Sequence, residues 1–245
     1  PLKDEDGNTK WVLFVSINPG GPQGGSATQY FVGDFDGRNF IPQDSTERWI
    51  DYGADNYAGV TWSDIPQEDG RRLFIGWMSN WQYANVVPTE KWRSATTLPR
   101  EVSLFKLDSL YELMFSPVEE LKKITGKPKS HMGSAKLESP YAKIKFDLSD
   151  DEKAFFLTLS NDRNERLLIS LQQGMLAIDR TEAGINQFSA DFPAVHKMDI
   201  NMLKAKEISV YLDAASVEVF ADNGKRVMTD IVFPTAPFNQ VRLEK

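Results

Sequence analysis

The chain has 245 residues, 41% of them hydrophobic and 26% charged, enough for one large domain or two modest ones with ordinary cores. A formal net charge of −7 argues against nucleic acid as partner, because phosphate binding needs clustered Lys and Arg. The absence of cysteine excludes disulfides, thiolate chemistry and cysteine-ligated metals, and no apolar run is long enough to span a bilayer as a helix.

The chain opens at Pro1-Leu2-Lys3, without initiator methionine or leader, which sets the expectation of a piece of a larger protein. Trp11 to Ile17 is a continuous apolar run, as in a strand buried on both faces. The Asn18 to Ser26 segment is too rich in Gly and Pro to continue a ladder. Thr28 to Phe35 is the next strand, Asp36-Gly37 marks a hairpin turn, and Phe40-Ile41 begins the return. Strands follow over Tyr57 to Trp62 and Arg72 to Met78, then a hairpin of Val102 to Leu107 with Leu110 to Phe115. Val118 to Ile124, after Pro117, suits a turn or two of helix.

Beyond it, Ala142 to Phe146, Ala154 to Ser160, Leu167 to Gln172, Met175 to Asp179, Ile208 to Leu212, Val217 to Val219 and Val227 to Phe233 read as strands. Asn223-Gly224 is the strongest two-residue hairpin signal. Short strands with turn signals roughly every ten residues mean an all-β barrel, sandwich or propeller. No strand–helix alternation and no phosphate-cradling loop is present, which disfavours nucleotide-binding folds.

Phe74 to Glu101 holds three of the six tryptophans, interleaved with Ser79, Asn80 and Gln82. Indole faces beside amides and hydroxyls suit a sugar, whose C–H faces stack and whose hydroxyls bond; the alternative is a tryptophan-rich core corner. Sugar cleavage requires paired carboxylates. Asp51 and Asp55 flank a glycine and read more simply as turn formers, Glu101 as an ion-pair partner and Glu218, between Val217 and Val219, as solvated. His131 and His196 stand alone, with no metal-ligand spacing. No acid and nucleophile can be assembled from these residues.

The segments Asn18 to Gly37, Asp51 to Ala58 and Gly76 to Glu101, with Val210 to Phe220 and Met228 to Pro234, resemble glycoside hydrolase family thirty-two, the levanases, exo-inulinases and invertases. The resemblance covers most of the chain with several long motifs in the family's order. It implies the last blades, roughly two, of a five-bladed β-propeller over residues 1–116, a linker over 117–128 and a β-sandwich over 129–245. It implies hydrolysis of terminal β-fructofuranosyl linkages in sucrose or fructans with retention, through a fructosyl-enzyme. The family's acidic motifs, Trp-Met-Asn-Asp-Pro-Asn-Gly, Arg-Asp-Pro and Glu-Cys-Pro, do not occur here, and all precede the Asn-Pro-Gly segment in the family. The nucleophile and general acid/base are therefore expected upstream of Pro1, and the segment alone is expected to be inactive.

Residue by residue, the resemblance assigns Trp81 to the fructosyl unit, with Asp55 and Tyr57 bordering the funnel and Trp77, Asn80 and Gln82 beside it. Arg93 and Arg100 are expected to be structural. The expected partners are a fructose-containing saccharide and the front propeller blades, on the same or a companion chain. Neither nucleic acid nor membrane is expected, nor any cofactor or metal. The resemblance places the protein outside the cell. A non-catalytic carbohydrate-binding protein and a fructosyltransferase on the same scaffold are the rival readings.

Overall fold

The computed structural model describes residues 1–148 and 154–245. Among these residues the protein is all-β, with short 3-10 turns and no α-helix. Among the described residues no helix is long and apolar enough to cross a membrane.

The first sheet is an antiparallel run of β1 (Leu2–Lys3), β2 (Thr9–Ile17), β3 (Ala27–Phe35) and β4 (Phe40–Pro42). The second contains β5 (Tyr57–Thr61), β6 (Leu73–Met78), β8 (Arg100–Leu107) and β9 (Leu110–Pro117) in that order, and β7 (Ala95–Thr96) pairs with the end of β6. Side chains alternate across each strand, so Tyr30 and Val32 of β3, Phe74 of β6, Val102 and Leu104 of β8 and Leu113 and Phe115 of β9 meet in one buried cluster.

A 3-10 turn at Glu119–Lys123 leads into the remaining strands, β10 (Ser134–Lys136), β11 (Ala142–Asp147), β12 (Ala154–Ser160), β13 (Arg166–Gln172), β14 (Met175–Glu182), β15 (Val195–Asp199), β16 (Glu207–Asp213), β17 (Ser216–Ala221), β18 (Arg226–Ile231) and β19 (Gln240–Glu244). They form a six-stranded sheet, β10-β19-β12-β13-β14-β15, and a four-stranded sheet, β11-β16-β17-β18. The inward rows Phe155, Leu157 and Leu159, Leu167 and Ile169, Ile208 and Val210, and Val217 and Val219 close one core between the two sheets. At about 1.5–3 kcal/mol for each large apolar side chain buried, this is the main store of stability in the second half.

Three expectations are corrected. Trp11 to Ile17 is a strand, but Trp11 and Leu13 are exposed, and only the Val12 and Phe14 face meets the core. The turn after β17 spans four residues, Asp222 to Lys225, because Ala221 pairs with Arg226 and three left-handed residues follow one another. Glu218 is buried: β17 has no solvent face, since Val217 and Val219 face the second-half core while Phe220 packs into the first-half cluster.

Phe220 and Val227 thus complete the first-half cluster, and a third cluster joins Met78, Tyr83 and Val87 to Phe192, Ile231 and Phe233. Apolar packing runs without a break from residues before Pro117 to residues after it.

Candidate functional site

β6 ends at Met78, and the chain then turns tightly through Ser79 to Val86. Trp77, the penultimate residue of β6, and Trp81, in the turn, lie side by side with ring centroids 5.0 Å apart and planes inclined by 43°. Tyr57, opposite Trp77 in the β5–β6 ladder, meets it edge to face at 6.2 Å. The three rings form a row, half-buried at Tyr57 and Trp77 and 48% exposed at Trp81. Strand alternation alone would put Trp77 and Trp81 on one side of a continuing strand. They are together, but through a turn that folds Trp81 back beside Trp77.

Asn80 fixes that turn. Its Oδ1 accepts from the backbone N–H of Ser26 at 3.2 Å and of Gln82 at 3.0 Å, while its Nδ2 donates to the carbonyls of Gly24 at 3.3 Å and Ala54 at 2.9 Å. All four bonds of a carboxamide are used, and the residue is fully buried. Ser26 adds a second tie, its hydroxyl accepting the Trp81 N–H. Gly25 must be glycine here: its φ is +63°, and a Cβ would sit 2.1 Å from Asn80 Oδ1. The Gly24-Gly25-Ser26 loop therefore brings backbone close to a neighbour.

Asp55 has no accessible surface. Its Oδ1 accepts from Tyr83 Oη at 2.7 Å, and its Oδ2 accepts from Arg180 Nη1 at 2.8 Å and the Ile231 N–H at 3.0 Å. Burial raises its carboxyl pKa, Arg180 opposes that rise, and the neighbouring Asp230 carboxylate adds to it. Burial also raises the Tyr83 phenol well above its ordinary range, and the Asp55 charge adds to the rise. Asp230 accepts from Ala54 N–H at 2.9 Å and meets His196 Nδ1 at 2.7 Å. Burial pulls the Asp230 carboxyl upward, but His196 outweighs burial with help from Arg180, leaving its pKa below the ordinary value.

A second buried group lies behind β6. Arg100 donates to Asp51 at 2.9 Å, Glu218 at 2.6 Å and Thr229 at 2.7 Å. Asp51 also accepts from Gly53 N–H, Asn56 Nδ2, Thr229 N–H and Thr229 Oγ1. Burial raises the Glu218 carboxyl, and Arg100 offsets part of the rise. Asp51 is a turn former and an ion-pair partner at once, and Arg100 is structural, as expected. Glu101 forms no ion pair among the described residues; the arginine expected beside it is Arg100, which faces the opposite way into this cluster.

Of the five predicted contacts, Tyr57, Trp77 and Trp81 share one surface, while Asp55 and Asn80 sit behind it with their polar atoms occupied. Gln82 is exposed at its edge. Among the described residues no group of His and carboxylates is arranged to hold a metal ion. Sequence reasoning missed Arg180, Asp230 and the role of His196. The signal available was Asp230 inside the Met228 to Pro234 motif, whereas Arg180 lies in a strand with nothing to mark it.

The all-β chain thus carries a partly exposed aromatic row, set on a buried polar frame, of the kind that can stack on the apolar face of a sugar ring. Residues 1–117 match the model of the glycosyl hydrolases family 32 N-terminal domain and residues 110–245 that of the family 32 C-terminal domain. The chain belongs to glycosyl hydrolase family 32. It is 37% identical to the levanase of Bacillus subtilis over 253 aligned residues, covering 96% of this chain and 37% of that protein. It is 33% identical to an extracellular exo-inulinase of Aspergillus awamori, covering 98% of this chain and 49% of that one. The crystal structure of exo-inulinase from the same organism superposes with a TM-score of 0.87 at 30% identity, over 100% of this chain and 52% of that one. The chain thus spans about half, or less, of the length of these relatives.

Proposed function

We propose that this chain forms the C-terminal part of a β-fructosidase that hydrolyses terminal β-fructofuranosyl linkages of sucrose or fructans such as levan and inulin, with retention. The observation that carries the proposal is the Tyr57–Trp77–Trp81 row, solvent-facing at Trp81, in a chain of this family. Trp81 takes the apolar face of the fructosyl ring, and Trp77 and Tyr57 complete the wall. Asp55 and Asn80 act from behind, holding the loop and the turn that present the rings. Residues 1–116 supply the last propeller blades, 117–128 the linker and 129–245 the sandwich. Support for the missing front blades comes from the outer face of β2 and β3, where Trp11, Leu13 and Phe35 are exposed on the side away from the core.

The cleaving carboxylates come from those front blades. Asp51, Asp55, Glu218 and Asp230 are each buried against cations or backbone donors and are in no position to protonate or attack a sugar. The exo-inulinase relatives are described as extracellular, and this protein works in the same compartment. Purified residues 1–245 should release no fructose from sucrose, inulin or levan, and adding the front half of a family enzyme should restore release with a β-configured first product. Fructose release by the chain alone, shown free of other glycosidases, would overturn the proposal.

A further inference from the structure

The end of β6 separates two surfaces. Trp77 and Trp81 face the aromatic wall; Met78 and Ser79 face the other way, into a cavity of about 200 Å³ between the turn after β6 and the β16–β17 connection. Its floor is apolar, including Ile231 and Phe233, and the half-exposed Trp92 stands at its mouth. Three hydroxyls line it, those of Ser79, Ser94 and Ser216, and none of them bonds to any protein group among the described residues. Ser79 is 2% exposed and Ser216 is 9% exposed, so what little surface these two residues keep opens on the cavity that they line.

Buried polar groups are normally satisfied by protein or by ordered water, and a site that leaves hydroxyls open beside an apolar floor is set for a ligand that brings both kinds of surface. No Lys or Arg lines the cavity, so an anion has no counter-charge there. Asp213 is its only carboxylate and already accepts the Ala214 N–H, which leaves too few ligands for a cation. An acyl chain would strip water from three hydroxyls and return nothing. The volume lies below the range of about 300–1,000 Å³ typical of drug-sized ligand sites, so one ring fits and an oligomer does not.

We infer that this cavity is a second saccharide-binding site, taking a single neutral sugar unit with its apolar face on Trp92 and its hydroxyls on Ser79, Ser94, Ser216 and the free oxygen of Asp213. The inference goes beyond the aromatic wall and does not depend on it. A unit held here lies across the Ser79–Val87 turn from Trp81, so a fructan chain could be retained by one unit while another occupies the wall.

Residues 1–245 titrated with sucrose and with fructosylnystose, followed by saturation-transfer NMR and calorimetry, test this directly. Trp92→Ala removes the stacking face, and Ala214→Trp fills the cavity without touching Trp92; near-UV circular dichroism confirms that each is folded. Both are expected to weaken saccharide binding by about tenfold or more, the scale of one lost aromatic contact. Trp81→Ala is expected to retain binding at the Trp92 cavity. Unchanged affinity in the folded variants overturns the inference, as does a wild-type chain that binds neither saccharide. If Trp81→Ala abolishes binding while Trp92→Ala binds as wild type, the cavity is not a sugar site and the wall reading survives. The opposite pattern upholds the cavity and removes the wall.

Discussion

Trp81 owes its exposure to a turn, and the turn owes its shape to Asn80. Replacing Trp81 by Ala removes a solvent-facing ring that no core cluster contains, so stability should change little while sugar recognition falls. In the complete enzyme we expect about 1–3 kcal/mol of lost transition-state binding, read as a drop in kcat/KM of roughly 5-fold to 150-fold. An unchanged kcat/KM would place the fructosyl unit elsewhere. A second residue-scale prediction concerns acid. Arg48 donates to both Asp44 oxygens, at 2.7 and 2.9 Å. The Arg48 hydrogen bonds, assisted by the Thr46 N–H, lower the Asp44 pKa to about 2 against a smaller opposing effect of burial. A carboxyl depressed in the folded state contributes stability above its unfolded pKa and loses it as pH falls through the folded value. Asp44 therefore adds of order 1 kcal/mol after solvent screening, lost between about pH 4 and pH 2. Asp44→Asn should flatten that part of the pH–stability curve, measured by urea melts across the range. The tryptophan row was legible in the sequence because indoles alternating with amides are unusual in a core. The occupation of Asp55, Asn80 and Glu218 was not, because what fills a side chain's bonds is set by partners far along the chain.

At the scale of elements, the wall is a joint between two loops and one turn. The Gly24–Ser26 loop, the Asp51–Asn56 loop and the Ser79–Val86 turn all end on Asn80, so a disturbance in one reaches the rings. Gly25→Ala forces a side chain into a left-handed backbone and against Asn80 Oδ1. We expect a loss of about 1–3 kcal/mol in a urea melt, together with a change in tryptophan emission as Trp81 shifts off Trp77. A melt that matches wild type would mean that the loop relaxes without moving Asn80. Strand positions were legible wherever polar and apolar residues alternate between turn signals, as in β12, β13 and the β8–β9 hairpin. β15 and β19 were missed because Lys197, Arg242 and Glu244 put long polar side chains on their outer faces and because His196, turned inward onto Asp230, puts a polar residue where the alternation calls for an apolar one. The face that β2 presents was misjudged because a run of apolar residues does not say which side is covered.

At the scale of the molecule, the two halves are joined by more than a linker. Phe220 and Val227 complete the first-half core, Phe192 and Phe233 complete the third cluster with Tyr83, and both buried ion-pair groups cross the same seam. Separating the halves would leave Arg100, Asp51 and Asp55 facing water on one side and Arg180 and Glu218 on the other, with aromatic surface exposed around them. The second half keeps its own two-sheet core, whereas the first half loses part of its cluster along with the partners of its buried charges. We therefore expect residues 1–245 to unfold in urea as one transition, with circular dichroism and tryptophan fluorescence coincident, despite a length at which two domains could melt separately. Arg180→Met should move the midpoint as expected for about 3–5 kcal/mol, because it strands the Asp55 carboxylate without its cation in a site that water does not reach. The transition should stay single and keep its slope, since the apolar seam is untouched. Two resolved transitions in the wild-type chain would mean that the seam is a contact between independent domains, and the wall would then be positioned by the first half alone.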